Sequence, residues 1–142
     1  MSVLHHTFTL ERRYPAPVDK VFAAWRDSQV KKQWFAGDGE HTLDFRVGGT
    51  ELLRASGPNG KHLAYEARYL DIVPERRIVY TSTLAADDAL ATVSTTSVEF
   101  EANGAGTLLM LTESDVFLDG QEEPAWRTRG TGDWLDKLGT RF

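Results

Sequence analysis

No cysteine occurs anywhere in this sequence. That excludes a disulfide framework, a thiol nucleophile and cysteine-ligated zinc. An excess of basic charge is also missing. Sixteen Lys and Arg stand against twenty-one Asp and Glu, giving a net charge of -5 at pH 7. Phosphate neutralisation supplies most nucleic-acid affinity, so an acidic chain without a basic stripe excludes nucleic acid as the expected partner. No apolar run approaches the ~18–20 residues of a membrane span. The start, "MSVLHHTF", lacks a basic segment followed by an apolar one, so no secretory signal is read there. The expected location is the cytoplasm.

What is present is ordinary globular composition, 41% hydrophobic and 26% charged over 142 residues. A chain of this length forms one domain, residues 1–142, and buries roughly 68–70% of its unfolded surface.

The periodicities divide the chain clearly. Residues 7–14, "TFTLERRY", alternate as a half-buried strand, with Phe8, Leu10 and Tyr14 on one face. Arg12 falls on that apolar face. His5 and His6 are read as a tail. In "PAPVDKVFAAWRD", Val18, Val21, Phe22 and Trp25 recur at helical spacing behind a first-turn proline, Pro17. A short second helix is expected after Ser28 as N-cap, burying Val30 and Trp34 and ending at "AGDG".

From about residue 41 to 113 the chain reads as strands. Gly48-Gly49, between "DFRV" and "TELL", is read as a two-residue hairpin turn, because no helix follows to make a phosphate loop. "SGPNGK" (56–61) is a second turn, "AADDALA" a loop and "ANGAG" a further turn. The last strand is expected at 107–113. "SDVFLDGQEEP" (114–124) is read as a long connection and candidate lid. Leu135, Leu138 and Phe142, at i, i+3 and i+7, then mark a C-terminal helix. Gly130 and Gly132 are read as preceding the helix proper, and Gly139 as its fraying end. The alternatives for these glycines are close packing on the sheet or a hinge.

The order is therefore one strand, two short helices, about six consecutive strands and one long helix. This is an α+β fold: a curved antiparallel sheet of about six or seven strands, with the C-terminal helix left to cover its apolar face.

Four segments carry a resemblance in register: "RRYPAPVDKVFAAWRDSQVKKQWF" (12–35), "DFRVGGTE" (44–51), "VPERRIVYT" (73–81) and "GTGDWLDKLG" (130–139). Together they resemble the START-like (SRPBCC) helix-grip superfamily, in the branch related to the C-terminal domain of the Hsp90 ATPase activator. The resemblance implies a sheet gripping the C-terminal helix, with an apolar ligand in the space between. The superfamily spans lipid carriers, hormone receptors, cyclases and co-chaperone domains, so fold alone does not set function. The chain begins directly with the first strand, without the activator's N-terminal domain. This argues against direct Hsp90 activation.

Little here supports catalysis. His5, His6, His41 and His62 show no metal-ligand spacing, so no metal is expected. There is no GxSxG elbow, and "GAG" (104–106) is read as a turn. Asp87-Asp88 are read as a solvated pair. Neither an acid/base dyad nor a cofactor is indicated.

Arg12 has two readings. In one it forms a structural ion pair with Asp71 or Glu113, or is turned outward by a register shift. In the other it anchors the acidic end of an apolar ligand. The candidate ligand-binding set is Arg12, Trp34, Phe45, Tyr65, Tyr69, Tyr80, Trp126 and Trp134, whose rings fill a core or line a cavity. The expected function is non-enzymatic binding of a small hydrophobic or amphipathic molecule between sheet and helix. The alternatives are a cyclase- or hydrolase-like enzyme, with Arg12 and Glu66, Asp71 or Glu113 as its polar groups, and a chaperone-linked interaction module. Pairing into a homodimer is a further expectation.

Overall fold

The computed structural model describes residues 2–57 and 59–142. Its elements are β1 (Val3–Tyr14), α1 (Val18–Arg26), α2 (Ser28–Lys31), a π-helical turn (Lys32–Ala36), β2 (Glu40–Leu43), β3 (Thr50–Ser56), β4 (His62–Val73), β5 (Arg77–Ala86), β6 (Ala89–Asn103), β7 (Gly106–Leu118) and α3 (Pro124–Gly139). The seven strands form one antiparallel sheet in the order β1-β7-β6-β5-β4-β3-β2. Strands β2 to β7 are a meander in which each hairpin partner is the next strand in sequence. β1 closes the far side by pairing with β7, from Val3↔Leu118 to Tyr14↔Thr107. Consecutive β1 and β2 are thus the two sheet edges, joined by the short helices.

The alternation that marks each strand also builds the core. On β5 to β7, Ile78, Tyr80, Val98, Phe100, Leu109 and Leu111 turn to the inner face. α3 covers them with Thr131, Gly132, Leu135 and Leu138, one stripe at helical spacing. α1 adds Val21, Phe22 and Trp25.

Several local expectations are corrected. Asp27, not Ser28, caps α2: its carboxylate accepts from the amides of Gln29 (2.9 Å) and Val30 (3.2 Å). His5 and His6 belong to β1 rather than to a tail, because β1 pairs with β7 from Val3 onward. Gly48-Gly49 is not a two-residue hairpin. β2 stops at Leu43, and residues 44–49 form a longer loop tied to β4 by Gly48 N–H to Tyr69 O (2.8 Å) and Tyr69 N–H to Gly49 O (3.0 Å). Gly48 has φ +83, and a Cβ on Gly49 would lie 2.1 Å from the Asp44 carbonyl oxygen, so neither position suits a side chain.

The loop read at "AADDALA" shrinks to Asp87-Asp88, both at positive φ, because β5 and β6 pair up to Ala86↔Ala89. The turn at 56–61 is present around Asn59-Gly60; Pro58 lies outside the described residues. Residues 114–118 are the end of β7, not part of a lid, and only residues 119–123 connect β7 to α3. Gly130 and Gly132 lie within α3 rather than before it. Gly132 is buried against Arg12, whose Nη2 would be 3.1 Å from an added Cβ.

A cavity between sheet and helix, and two buried charge clusters

The inner face of the sheet is not uniformly apolar. One row runs across β7, β6 and β5 as Glu113, Thr96 and Tyr80; the next runs as Asp115, Ser94 and Ser82. All six side chains are buried. This polar half faces the first turns of α3, whereas Leu109, Leu111, Leu135 and Leu138 fill the other half.

Between the polar half and α3 lies a cavity of about 210 Å³. Its walls include Phe35, Tyr65, Tyr80, Trp134 and the half-exposed Trp126, and its polar residues are Glu113, Glu122, Arg127 and Thr131. Larger surface depressions, of about 810 and 1130 Å³, lie beside α1–α2 and beside β2–β4, but polar residues dominate their lining. Ligand sites are concave and mainly apolar with a few placed polar groups, and the smaller cavity matches that chemistry.

Arg127 organises the cavity floor. Its Nε donates to Glu113 Oε2 (2.8 Å), its Nη2 to Ser94 Oγ (3.1 Å), and its Nη1 lies 3.4 Å from Glu122 Oε1. Thr96 donates to Glu113 Oε1 (3.0 Å) and Thr92 to Glu122 Oε1 (2.5 Å). The guanidinium loses solvation by burial, but the carboxylates of Glu113 and Glu122 more than offset this and keep it charged. Asp115 sits behind the floor. Ser94 donates to its Oδ1 (2.5 Å), while among the described residues its buried Oδ2 has no partner. Burial, reinforced by neighbouring Glu113, pushes its carboxyl up to about 7.

A second cluster sits beside the cavity. Lys31 Nζ donates to Glu51 Oε1 (2.8 Å) and to the Tyr69 hydroxyl (3.2 Å). Tyr69 donates to Glu51 Oε1 (2.7 Å), and His41 Nε2 meets Glu51 Oε2 (2.7 Å). Burial alone would raise the Glu51 carboxyl, but the Lys31 ammonium and the hydrogen bonds outweigh it and hold it at about 2. Burial in turn pulls Lys31 below its ordinary value, against the attraction of Glu51. The ammonium is ringed by aromatic faces, 4.7 Å from the Phe35 centroid and 5.1 Å from that of Trp25.

Of the residues singled out in the sequence, Tyr65, Tyr80, Trp126 and Trp134 line the cavity together. Trp34, Phe45 and Tyr69 lie in the adjoining core. Trp34 packs on Trp25 (5.0 Å between ring centroids) and Trp134 (5.5 Å), and Phe45 on Tyr69 (5.0 Å). Arg12 is on the inner face but outside the cavity lining. Its Nε donates to Asp136 of α3 (2.6 Å), so its partner is neither Asp71 nor Glu113. Asp71 pairs with Arg77 (2.5 Å) and Glu66 is exposed. The sequence reading passed over Phe35, Glu122 and Arg127. The i, i+4 step from Arg127 to Thr131, on the stripe that continues to Leu135 and Leu138, was the signal that Arg127 faces inward.

A curved antiparallel sheet that grips a C-terminal helix, with two short helices after the first strand, defines the helix-grip (SRPBCC-type) class. The chain belongs to the "Activator of Hsp90 ATPase homolog 1-like protein" family, whose model matches residues 15–142. Its fold is shared by an uncharacterized protein from Rhizobium leguminosarum, 40% identical, with a TM-score of 0.93 over 98% of this chain and 95% of that one. Mll3558 from Rhizobium loti is also 40% identical, with a TM-score of 0.93 over the whole of both chains. CV1439 from Chromobacterium violaceum is 25% identical, with a TM-score of 0.77 over 94% of this chain and 95% of that one. No curated protein matches the chain. Among the described residues, no helix is long and apolar enough to cross a membrane.

Proposed function

We propose that the protein binds a small hydrophobic or amphipathic molecule, without chemical change, in the cavity between the sheet and α3. One observation carries this reading: Phe35, Tyr65, Tyr80, Trp126 and Trp134 converge on an apolar space of about 210 Å³. Polar residues at one side of the space, Glu113, Glu122, Arg127 and Thr131, suit the polar end of an amphipathic occupant.

The test uses 2-phenylethanol, with the intrinsic fluorescence of Trp126 and Trp134 as reporter. A saturable change is expected in the native protein, and Ala55→Phe, which fills the lining from β3, should abolish it. Absence of saturable binding, or unchanged binding in Ala55→Phe, would overturn the reading.

A second reading is a cyclase- or hydrolase-like enzyme of the same superfamily. It draws on the phenols of Tyr65 and Tyr80 and the carboxylates of Glu113 and Glu122 sharing one cavity. Conversion of a bound molecule, followed by mass spectrometry and lost in Glu113→Gln, would favour it over simple carriage.

A further inference from the structure

The charges of the cavity point to the kind of polar end its occupant carries. Three ionised side chains line it: Glu113, Glu122 and Arg127. One positive charge against two negative leaves the floor with a net negative charge. The positive charge is also partnered already, because Arg127 directs three of its five N–H groups at Glu113, Glu122 and Ser94. A ligand carboxylate entering here would meet two glutamate carboxylates beside a guanidinium that they already pair. On the acceptor side, among the described residues, Glu122 engages only Oε1, through Thr92 and Arg127, so Oε2 keeps its lone pairs.

The tyrosines agree with this polarity. Tyr80 is only 4% exposed and lines the cavity together with Tyr65. Burial, the largest cause, raises both phenols, as do Glu51 and Glu113, against a smaller opposing effect of Arg127 at each. Both therefore stay protonated, and each keeps an oxygen able to accept from an ammonium. The aromatic walls favour the same charge, since ring faces attract cations and not anions. The chain already holds one ammonium this way: Lys31 Nζ sits 4.7 Å from the Phe35 centroid with Glu51 as counter-charge, and Phe35 is shared with the cavity wall.

Resting on the proposed binding function, we infer that the cavity takes the protonated amine of a small aromatic or aliphatic amine. Glu122 supplies the counter-charge, and Tyr65, Tyr80 and Trp134 form the surrounding wall.

The experiment compares three matched probes at neutral pH by calorimetry: 2-phenylethylamine, 2-phenylethanol and phenylacetic acid. The expected order is amine first, with roughly tenfold or greater preference over the alcohol, and the acid weakest. Glu122→Gln should bring the amine's affinity down to that of the alcohol in the same variant, and raised salt should weaken only the amine. Equal binding of all three, preference for the acid, or an amine preference that survives Glu122→Gln would overturn the inference while leaving the cavity reading intact. Failure of every probe, the neutral alcohol included, would overturn both.

Discussion

Replacing Asp115 with Asn should stabilise the protein above neutral pH, although the residue is buried and hydrogen-bonded. Asp115 lies on β7 beneath the cavity floor, 2% exposed, with Ser94 on one oxygen and, among the described residues, no partner on the other. Its carboxyl is raised from 3.8 to about 7 by burial and by Glu113. A carboxyl raised by folding makes the folded state bind the proton more tightly than the unfolded state. Stability from this group is therefore greatest at low pH and is lost as pH rises from about 4 to about 7.

Near pH 5.5 the folded form holds about one proton more than the unfolded form, which gives a slope of about -1.3 kcal/mol per pH unit. Between about pH 5 and about pH 8 this integrates to about 2.6 kcal/mol. Local relaxation around a buried charge lowers its effective cost, so a loss of about 1–3 kcal/mol is expected. An amide keeps an acceptor for Ser94 and never ionises, so Asp115→Asn should remove that slope. Its stability advantage over the parent should be negligible near pH 5 and about 1–3 kcal/mol near pH 8. Urea unfolding at a series of pH values measures both proteins. A parent whose stability is flat or rising over this window, or an Asp115→Asn variant with the same slope, would refute the reasoning.

Glu51 produces the opposite dependence at lower pH. Its carboxyl is held down at about 2, so its contribution is present above the ordinary value of 4.5 and is lost as pH falls toward about 2, visible as steep acid unfolding. Glu51→Gln should cost about 3–5 kcal/mol in denaturant unfolding, because it leaves the buried Lys31 ammonium without a counter-charge; a cost below about 1 kcal/mol would contradict the pairing. Gly130→Ala should stabilise the fold by about 0.5–1 kcal/mol, since the position is helical and an added Cβ meets nothing within 4 Å. A lowered melting temperature would show that α3 needs the glycine for another reason.

How far the sequence could be read depended on whether a signal was local. The strands of the meander were visible because inner and outer residues alternate, as in Leu63, Tyr65, Ala67 and Tyr69 on β4. Where the inner face is polar the same rule misled. β7 reads as ending at Glu113, five residues early, because Asp115 looks like an exposed loop residue. Their partners, Arg127 and Ser94, lie 14 and 21 residues away in sequence, and nothing nearby announces the pairing. Lys31 was passed over for the same reason, since its counter-charge Glu51 comes from a different element. Arg12 was correctly placed on the inner face of β1, but its partner Asp136 is supplied by α3, which the strand pattern does not position.

The amino-acid pattern by itself determined the order of elements, the antiparallel meander and the need for a C-terminal helical cover, because alternation, helical spacing and turn chemistry act over a few residues. Only the tertiary structure decided which rings fill the core and which line the cavity, and which buried charges find partners. Those outcomes depend on side chains brought together from β3, β4, β5, β7 and α3, and on the low dielectric created once α3 closes over the sheet.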